Sequence, residues 1–196
     1  MIPIEKNITL TDGKVLLRFC RPEDAQEHCD AIHESIDELM EWTAWANTNY
    51  SVDDSRTWLK ACATAWDKGQ EYNFTIVNPA TQKLMGWCGL NKIDNQNMVA
   101  NLGYWVRKKY CNNGVASAAS ILLARFGFER LHFNRIEIVT ATGNLASQRV
   151  AEKIGAVREG ILRNLIYQRG KVLDGVMFSL IPDDLLGDKY GVLPRP

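Results

Sequence analysis

The run Cys111-Asn-Asn-Gly-Val-Ala-Ser117 gathers small residues and turn formers where a strand pattern gives way to a helical one. Gly114 and Ala116 would let a ligand approach the backbone closely. A helix starting there leaves its first N–H groups without intrahelical partners and adds the positive end of its dipole. That chemistry suits a phosphate or pyrophosphate held by Asn112, Asn113, Gly114, Val115, Ala116 and Ser117. An ordinary strand–turn–helix with a convenient glycine reads the same way. Two other phosphate folds are excluded. No Gly, four residues, then Gly-Lys-Ser/Thr occurs, and the three clustered glycines of a dinucleotide fingerprint are missing.

A second set of residues lies in Asn144-Leu-Ala-Ser147. Asn144 suits a helix N-cap and Gly155 a stop, and Ser147, Val150, Ala151 and Ile154 share one face of the helix between them. The Ser147 hydroxyl could donate a hydrogen bond to a ligand, or serve only as a small packing residue. Asn101 cannot act as a base, but its amide could orient a ligand or hold a water. Arg107-Lys-Lys109 lies beside the glycine turn, and Glu34, Asp37, Glu38 and Glu41 lie together upstream. Either cluster could serve a charged ligand or be a solvated surface. Trp42 and Trp45 could wall an acceptor pocket or belong to the core.

The elements that must position these groups follow from the pattern. Ile8 to Phe19 reads as a hairpin turning at Thr11-Asp-Gly13, and Pro22 opens a helix to about Ile36. A short helix or loop carries Met40, Trp42 and Trp45. Ser51 caps a helix to Asp67 with Trp58, Cys62 and Trp66 as its apolar stripe. Strands follow at Tyr72–Val77, Lys83–Ile93 and Met98–Val106, then a helix to about Arg130 and a strand at Arg135–Thr142. After the Asn144 helix, Ala156–Tyr167 and Val172–Ile181 form a last hairpin. This order predicts an α/β fold with a mixed sheet in one domain spanning 1–196.

Composition narrows the class. Apolar residues make up 46% and charged residues 23%, and 23 Lys plus Arg balance 23 Asp plus Glu. A neutral chain gives no general reason to bind nucleic acid or an anionic membrane. Five cysteines without a Cys-x-x-Cys pair suggest reduced thiols in a cytoplasmic protein rather than disulfides or zinc. His28 and His33 are five apart and share no helix face, so no metal site is expected.

On these segments the chain resembles the GNAT N-acetyltransferases, in particular the RimJ/RimL-like branch that acetylates ribosomal-protein N-termini. The motifs are Gly103-Tyr-Trp105, Cys111-Asn-Asn-Gly114-Val-Ala116, Asn144-Leu-Ala-Ser147 and Lys153-Ile-Gly155, with Asp174 before the last strand. The resemblance implies a mostly antiparallel sheet flanked by helices on both faces. It implies acetyl-CoA as co-substrate, an amine acceptor, and direct attack in a ternary complex with no metal. Trp105 and Val106 would lie along the pantetheine arm, Asn144 would touch it, and Ser147 would stand near the sulfur. A peptide N-terminus is slightly favoured over a small amine, and a homodimer is among the assemblies expected. The other class open to this chain is a non-catalytic acyl-CoA-binding module. Five positions depart from the pattern: Cys111 replaces Arg or Gln, Asn112 and Asn113 replace the commoner Gly plus Lys or Gln, and Asn101 and Ile166 stand where relatives can carry Glu. The general base is therefore unassigned.

Overall fold

A computed structural model of the chain describes residues 4–187. Its strands are β1 (Thr9–Thr11), β2 (Leu16–Phe19), β3 (Tyr72–Val77), β4 (Leu84–Asp94), β5 (Val99–Val106), β6 (Arg135–Ala141), β7 (Val157–Gln168) and β8 (Lys171–Leu180). Its helices are α1 (Ala25–Glu34), α2 (Ile36–Trp42), α3 (Val52–Asp67), α4 (Val115–Arg130), α5 (Leu145–Lys153) and the short α6 (Pro182–Leu186). The strands form one sheet in the order β1-β2-β3-β4-β5-β6-β8-β7. Every neighbouring pair is antiparallel except β5 with β6.

Strand alternation sends side chains to two cores. Ala100 and Leu102 of β5 join Phe74, Cys88 and Leu90 beneath Ala119, Leu123 and Phe126 of α4. Trp105, of opposite parity, packs with Ile32 of α1, Leu39 of α2 and Tyr50. The sheet is therefore covered on both faces, which is why β3 is buried at every position.

The helix expected from Pro22 to about Ile36 is shorter. Pro22–Asp24 form a 3-10 turn, and α1 stops at Glu34. Ser35 interrupts the path to α2: its hydroxyl donates to the Ala31 carbonyl at 2.8 Å and accepts from the Lys108 N–H at 2.9 Å. In the α3 stripe, Leu59 rather than Trp58 is fully buried beside Cys62 and Trp66. Trp58 is half-buried and stacks on His28, with ring centroids 4.7 Å apart.

The helix starts differ. Ser51 accepts from the Asp54 N–H at 3.2 Å, and the Asp54 carboxylate accepts from the Ser51 N–H at 2.8 Å, closing the start of α3. Asn144 closes α5 by accepting from the Ser147 N–H at 3.0 Å. The start of α4 is Gly114 at φ +71°, with no side-chain cap. In the last hairpin, β7 bulges between Leu162 and Ile166, and the Asp174 carboxylate accepts from the Asn164 N–H at 2.9 Å. Asp174 thereby secures the bulge. Among the described residues, no helix is long and apolar enough to cross a membrane.

Candidate active site

β5 and β6 pair only through Val99–Asn101 with Arg135–Glu137. Beyond Asn101 no ladder pair joins them, although β5 continues to Val106 and β6 to Ala141. The parting opens a cleft of about 180 Å³, lined among others by Trp42, Tyr104, Asn144, Ser147, Ile166 and Gln168. A larger open depression of about 780 Å³ lies at the β7 bulge, around Ile161, Arg163, Asn164 and Asp174. We assign the site to the smaller cleft, because hydroxyl and amide groups from three elements converge there.

The pair at its centre joins residues 43 positions apart. The Tyr104 hydroxyl lies 2.9 Å from Ser147 Oγ and donates to the Ser147 carbonyl at 3.1 Å. Burial pushes the Tyr104 phenol up to about 12, with the Ser147 contact pulling the other way. The phenol therefore keeps its proton at neutral pH, and when it turns that single proton from the carbonyl to Ser147 Oγ, the seryl O–H is left free to donate elsewhere. Nothing in the residue pattern marks Tyr104 as a site residue. Its parity with Leu102 on a buried strand gives it the pattern of a core residue.

Three further elements wall the cleft. Trp42 ends α2, and its indole would lie 3.2 Å from a Cβ placed on Gly143, so the bare glycine lets the ring close over the start of α5. The segment after α2 is tied to the tip of the last hairpin. Gln168 donates to the Glu41 carbonyl at 2.9 Å, and Arg169 donates to the carbonyls of Thr43 and Ala46. Trp45 stands apart: it is 45% exposed and rests edge-on against Tyr50, outside the cleft lining.

At the other end lies the glycine turn. Asn112 (φ +61°) and Gly114 (φ +71°) adopt left-handed conformations, and Asn113 donates to the Cys111 carbonyl at 3.2 Å. Val115 and Ser117 are buried by side chain, so they can reach a ligand only through the main chain, whereas Ala116 is half-buried. Within α4 the Ala118 N–H returns to Gly114 O at 3.0 Å, while the N–H groups of Val115, Ala116 and Ser117 precede the intrahelical ladder. The residues present thus fit a diphosphate. The Trp105 indole is edge-on to His28 at 5.6 Å, and its backbone pairs with Trp87 of β4, so Trp105 does not line the parting. The Val106 carbonyl accepts from the exposed Cys111 thiol at 3.5 Å.

The two charge clusters noted in the sequence bind one another. Arg107 donates to Glu34 at 2.7 Å, Lys108 meets Glu38 at 2.8 Å, and Lys109 lies 3.8 Å from Glu34. All three cations are thus engaged, as are Glu34 and Glu38 of the acidic cluster. The cations at the glycine turn come from elsewhere: a Cβ on Gly114 would sit 2.9 Å from Lys14 Nζ and 4.0 Å from Lys153 Nζ. Asn101 occupies the last pair before the strands part. Its amide donates to Asn91 at 2.8 Å, and it is not among the cleft-lining residues. Among the described residues, no carboxylate lines the cleft. Among the described residues, no group of three or more His, Cys, Asp or Glu could hold a metal ion.

A profile of the family "Acetyltransferase (GNAT) domain" matches residues 14–157. The "Putative ribosomal N-acetyltransferase YdaF" of Bacillus subtilis (strain 168) is 30% identical over 181 residues, covering 89% of this chain and 95% of that protein. The solved structure of a "putative ribosomal-protein-serine acetyltransferase from Vibrio cholerae" superposes with a TM-score of 0.81 at 30% identity, over 91% of this chain and all of that one. The "Microcin C7 self immunity acetyltransferase MccE in complex with Acetyl-CoA and AMP" shares the fold at 20% identity, with a TM-score of 0.82 over 91% of this chain and 98% of that one. A sheet parted between β5 and β6, an uncapped helix start at one end of the gap and a profile over most of the sequence agree: the chain belongs to the GNAT acetyltransferase family.

Proposed function

We propose that this acetyltransferase moves the acetyl group of acetyl-CoA to a primary amine, with a protein N-terminus preferred over a small amine. The observation that carries the reading is the Tyr104–Ser147 pair lining the gap between β5 and β6. Acetyl-CoA, when bound, supplies an activated acyl thioester. The start of α4 would hold its diphosphate, the unpaired edge of β5 near Val106 would receive the pantetheine amides, and Asn144 would border that arm. Ser147, oriented by Tyr104, would donate to the leaving sulfur. Trp42 and Ile166 would flank the acceptor.

With no carboxylate lining the cleft, the amine would reach the thioester already neutral or lose its proton to water. Asn101 could enter only as an orienting group, once released from Asn91. The preference for a peptide acceptor is supported by the names of the B. subtilis and V. cholerae relatives. A cytoplasmic location belongs to the same proposal and is supported by five free thiols. So does a homodimer, supported by Ile161 and Tyr167 exposed on the edge strand β7.

The test is thiol release from acetyl-CoA with a panel of N-terminal peptides and small amines, followed across pH. Peptides should outpace small amines. The rate should keep rising toward alkaline pH, because a carboxylate base would instead produce a plateau above its pKa. Binding of acetyl-CoA without thiol release for any amine would leave a non-catalytic binding module.

A further inference from the structure

The turn Cys111–Ser117 carries no charged side chain of its own. The adjoining Arg107, Lys108 and Lys109 are each engaged by Glu34 or Glu38. Yet the structure brings two ammoniums to one point beside Gly114, from segments more than a hundred residues apart. Lys14 comes from the turn between β1 and β2, and Lys153 from the last turn of α5. Neither has a carboxylate partner among the described residues. The nearby Asp12 carboxylate is occupied by the N–H groups of Lys14 and Val15, at 2.9 and 3.0 Å. Two like charges held together repel unless an anion lies between them. The last-turn position of Lys153 suits the dipole of α5, but that does not explain a second lysine at the same point.

We propose that Lys14 and Lys153 form a two-ammonium clamp on the diphosphate of the acetyl donor, opposite the free N–H groups that open α4. The clamp rests on the acetyl-CoA reading above and adds two residues to it. The main-chain groups of the turn supply shape and partial charge, and the two lysines supply the full countercharge that the turn lacks. Because they arise from different elements, each would contribute separately to donor affinity. Cys111 takes no part in the charge balance.

The experiment is calorimetric titration of the full chain with coenzyme A, 3′-dephospho-coenzyme A and pantetheine. It uses wild type, Lys14→Met, Lys153→Met, the double variant and the double Lys→Arg variant. Each Met substitution should weaken coenzyme A by on the order of 10-fold, as loss of one charge-assisted contact implies. The double variant should lose more than either single one. Dephospho-coenzyme A should lose as much as coenzyme A, pantetheine should be unaffected, and the Arg pair should restore most of the affinity. Loss confined to coenzyme A would place the lysines on the 3′-phosphate and overturn the diphosphate assignment. Equal loss for pantetheine, or no loss, would overturn the clamp. A wild type that fails to bind coenzyme A would instead refute the donor reading, and the clamp with it. Both lysines are exposed, so unchanged melting temperatures without ligand are expected to accompany every variant.

Discussion

α3 and α4 are both 16 residues long and begin in opposite ways. α3 opens on a reciprocal box between Ser51 and Asp54, with Asp53 adding negative charge to its first turn. α4 opens on a left-handed glycine, has no acid in its first turn and has two lysines nearby. One helix satisfies its own N-terminus, and the other leaves it to something outside the chain. α5 lies between these cases. Asn144 satisfies the Ser147 N–H, which frees the Ser147 hydroxyl to meet Tyr104. On the proposed reading, the contrast separates termini capped for stability from a terminus left open for a ligand, and it can be tested from both sides.

The largest effect is expected at the open end. Gly114→Glu would place a carboxylate beside Lys14 and Lys153, where it competes with the donor's phosphates. Juxtaposed like charges cost several kcal/mol, so coenzyme A affinity should fall by on the order of 1,000-fold. The left-handed φ adds roughly 1–2 kcal/mol of strain to folding. Near-normal affinity in a calorimetric titration would mean that the anion site lies elsewhere. At α5 the expected signature differs. Ser147→Ala should slow turnover by on the order of 10- to 1,000-fold while the coenzyme A Kd stays within a factor of about two. Tyr104→Phe should move the same parameter by less, since the seryl donor remains. A change in Kd without a change in turnover would assign Ser147 to binding.

At the closed end the effects should fall on stability. His28 is buried between α1 and α3, its Nδ1 3.0 Å from Ser55 Oγ. Burial pushes its imidazole down to about 4, with the Asp24 charge pulling weakly upward. The unfolded chain therefore takes up a proton between about pH 6.5 and 4 that the folded chain refuses. Stability should be full above pH 6.5 and decline as pH falls through that window, by about 3 kcal/mol in all. Denaturant melts of His28→Gln should show a flatter acid limb. Smallest of all, Ser51→Ala should cost about 1 kcal/mol of stability and leave coenzyme A binding untouched. A loss of donor affinity in that variant would erase the distinction between the two helix starts.

What the sequence made legible is local. Ser51 and Asn144 as caps, the Gly114 turn and the bounds of β5 and β6 depend on neighbours a few residues away. The groups that complete the site meet across long separations. Tyr104 and Ser147 are 43 positions apart, and Lys14 and Lys153 reach Gly114 only through the tertiary fold. Charge clusters mislead for the same reason. Arg107 to Lys109 looked available beside the turn, but their partners Glu34 and Glu38 lie about 70 residues upstream. Trp42 and Trp45 are alike in type and nearly adjacent, yet only Trp42 reaches the cleft, because α2 ends between them.

The three-pair contact between β5 and β6 bears on how such a protein can change over generations. The slot exists because two backbones diverge, so it survives replacement of almost any side chain along its edges. The opposite wall is made of side chains on the α2 end and β7, namely Trp42, Ile166 and Gln168. On the proposed reading, mutation can therefore remodel the wall facing the acceptor while the slot for the donor is inherited unchanged. Paralogues of this chain would be expected to diverge first at those three positions.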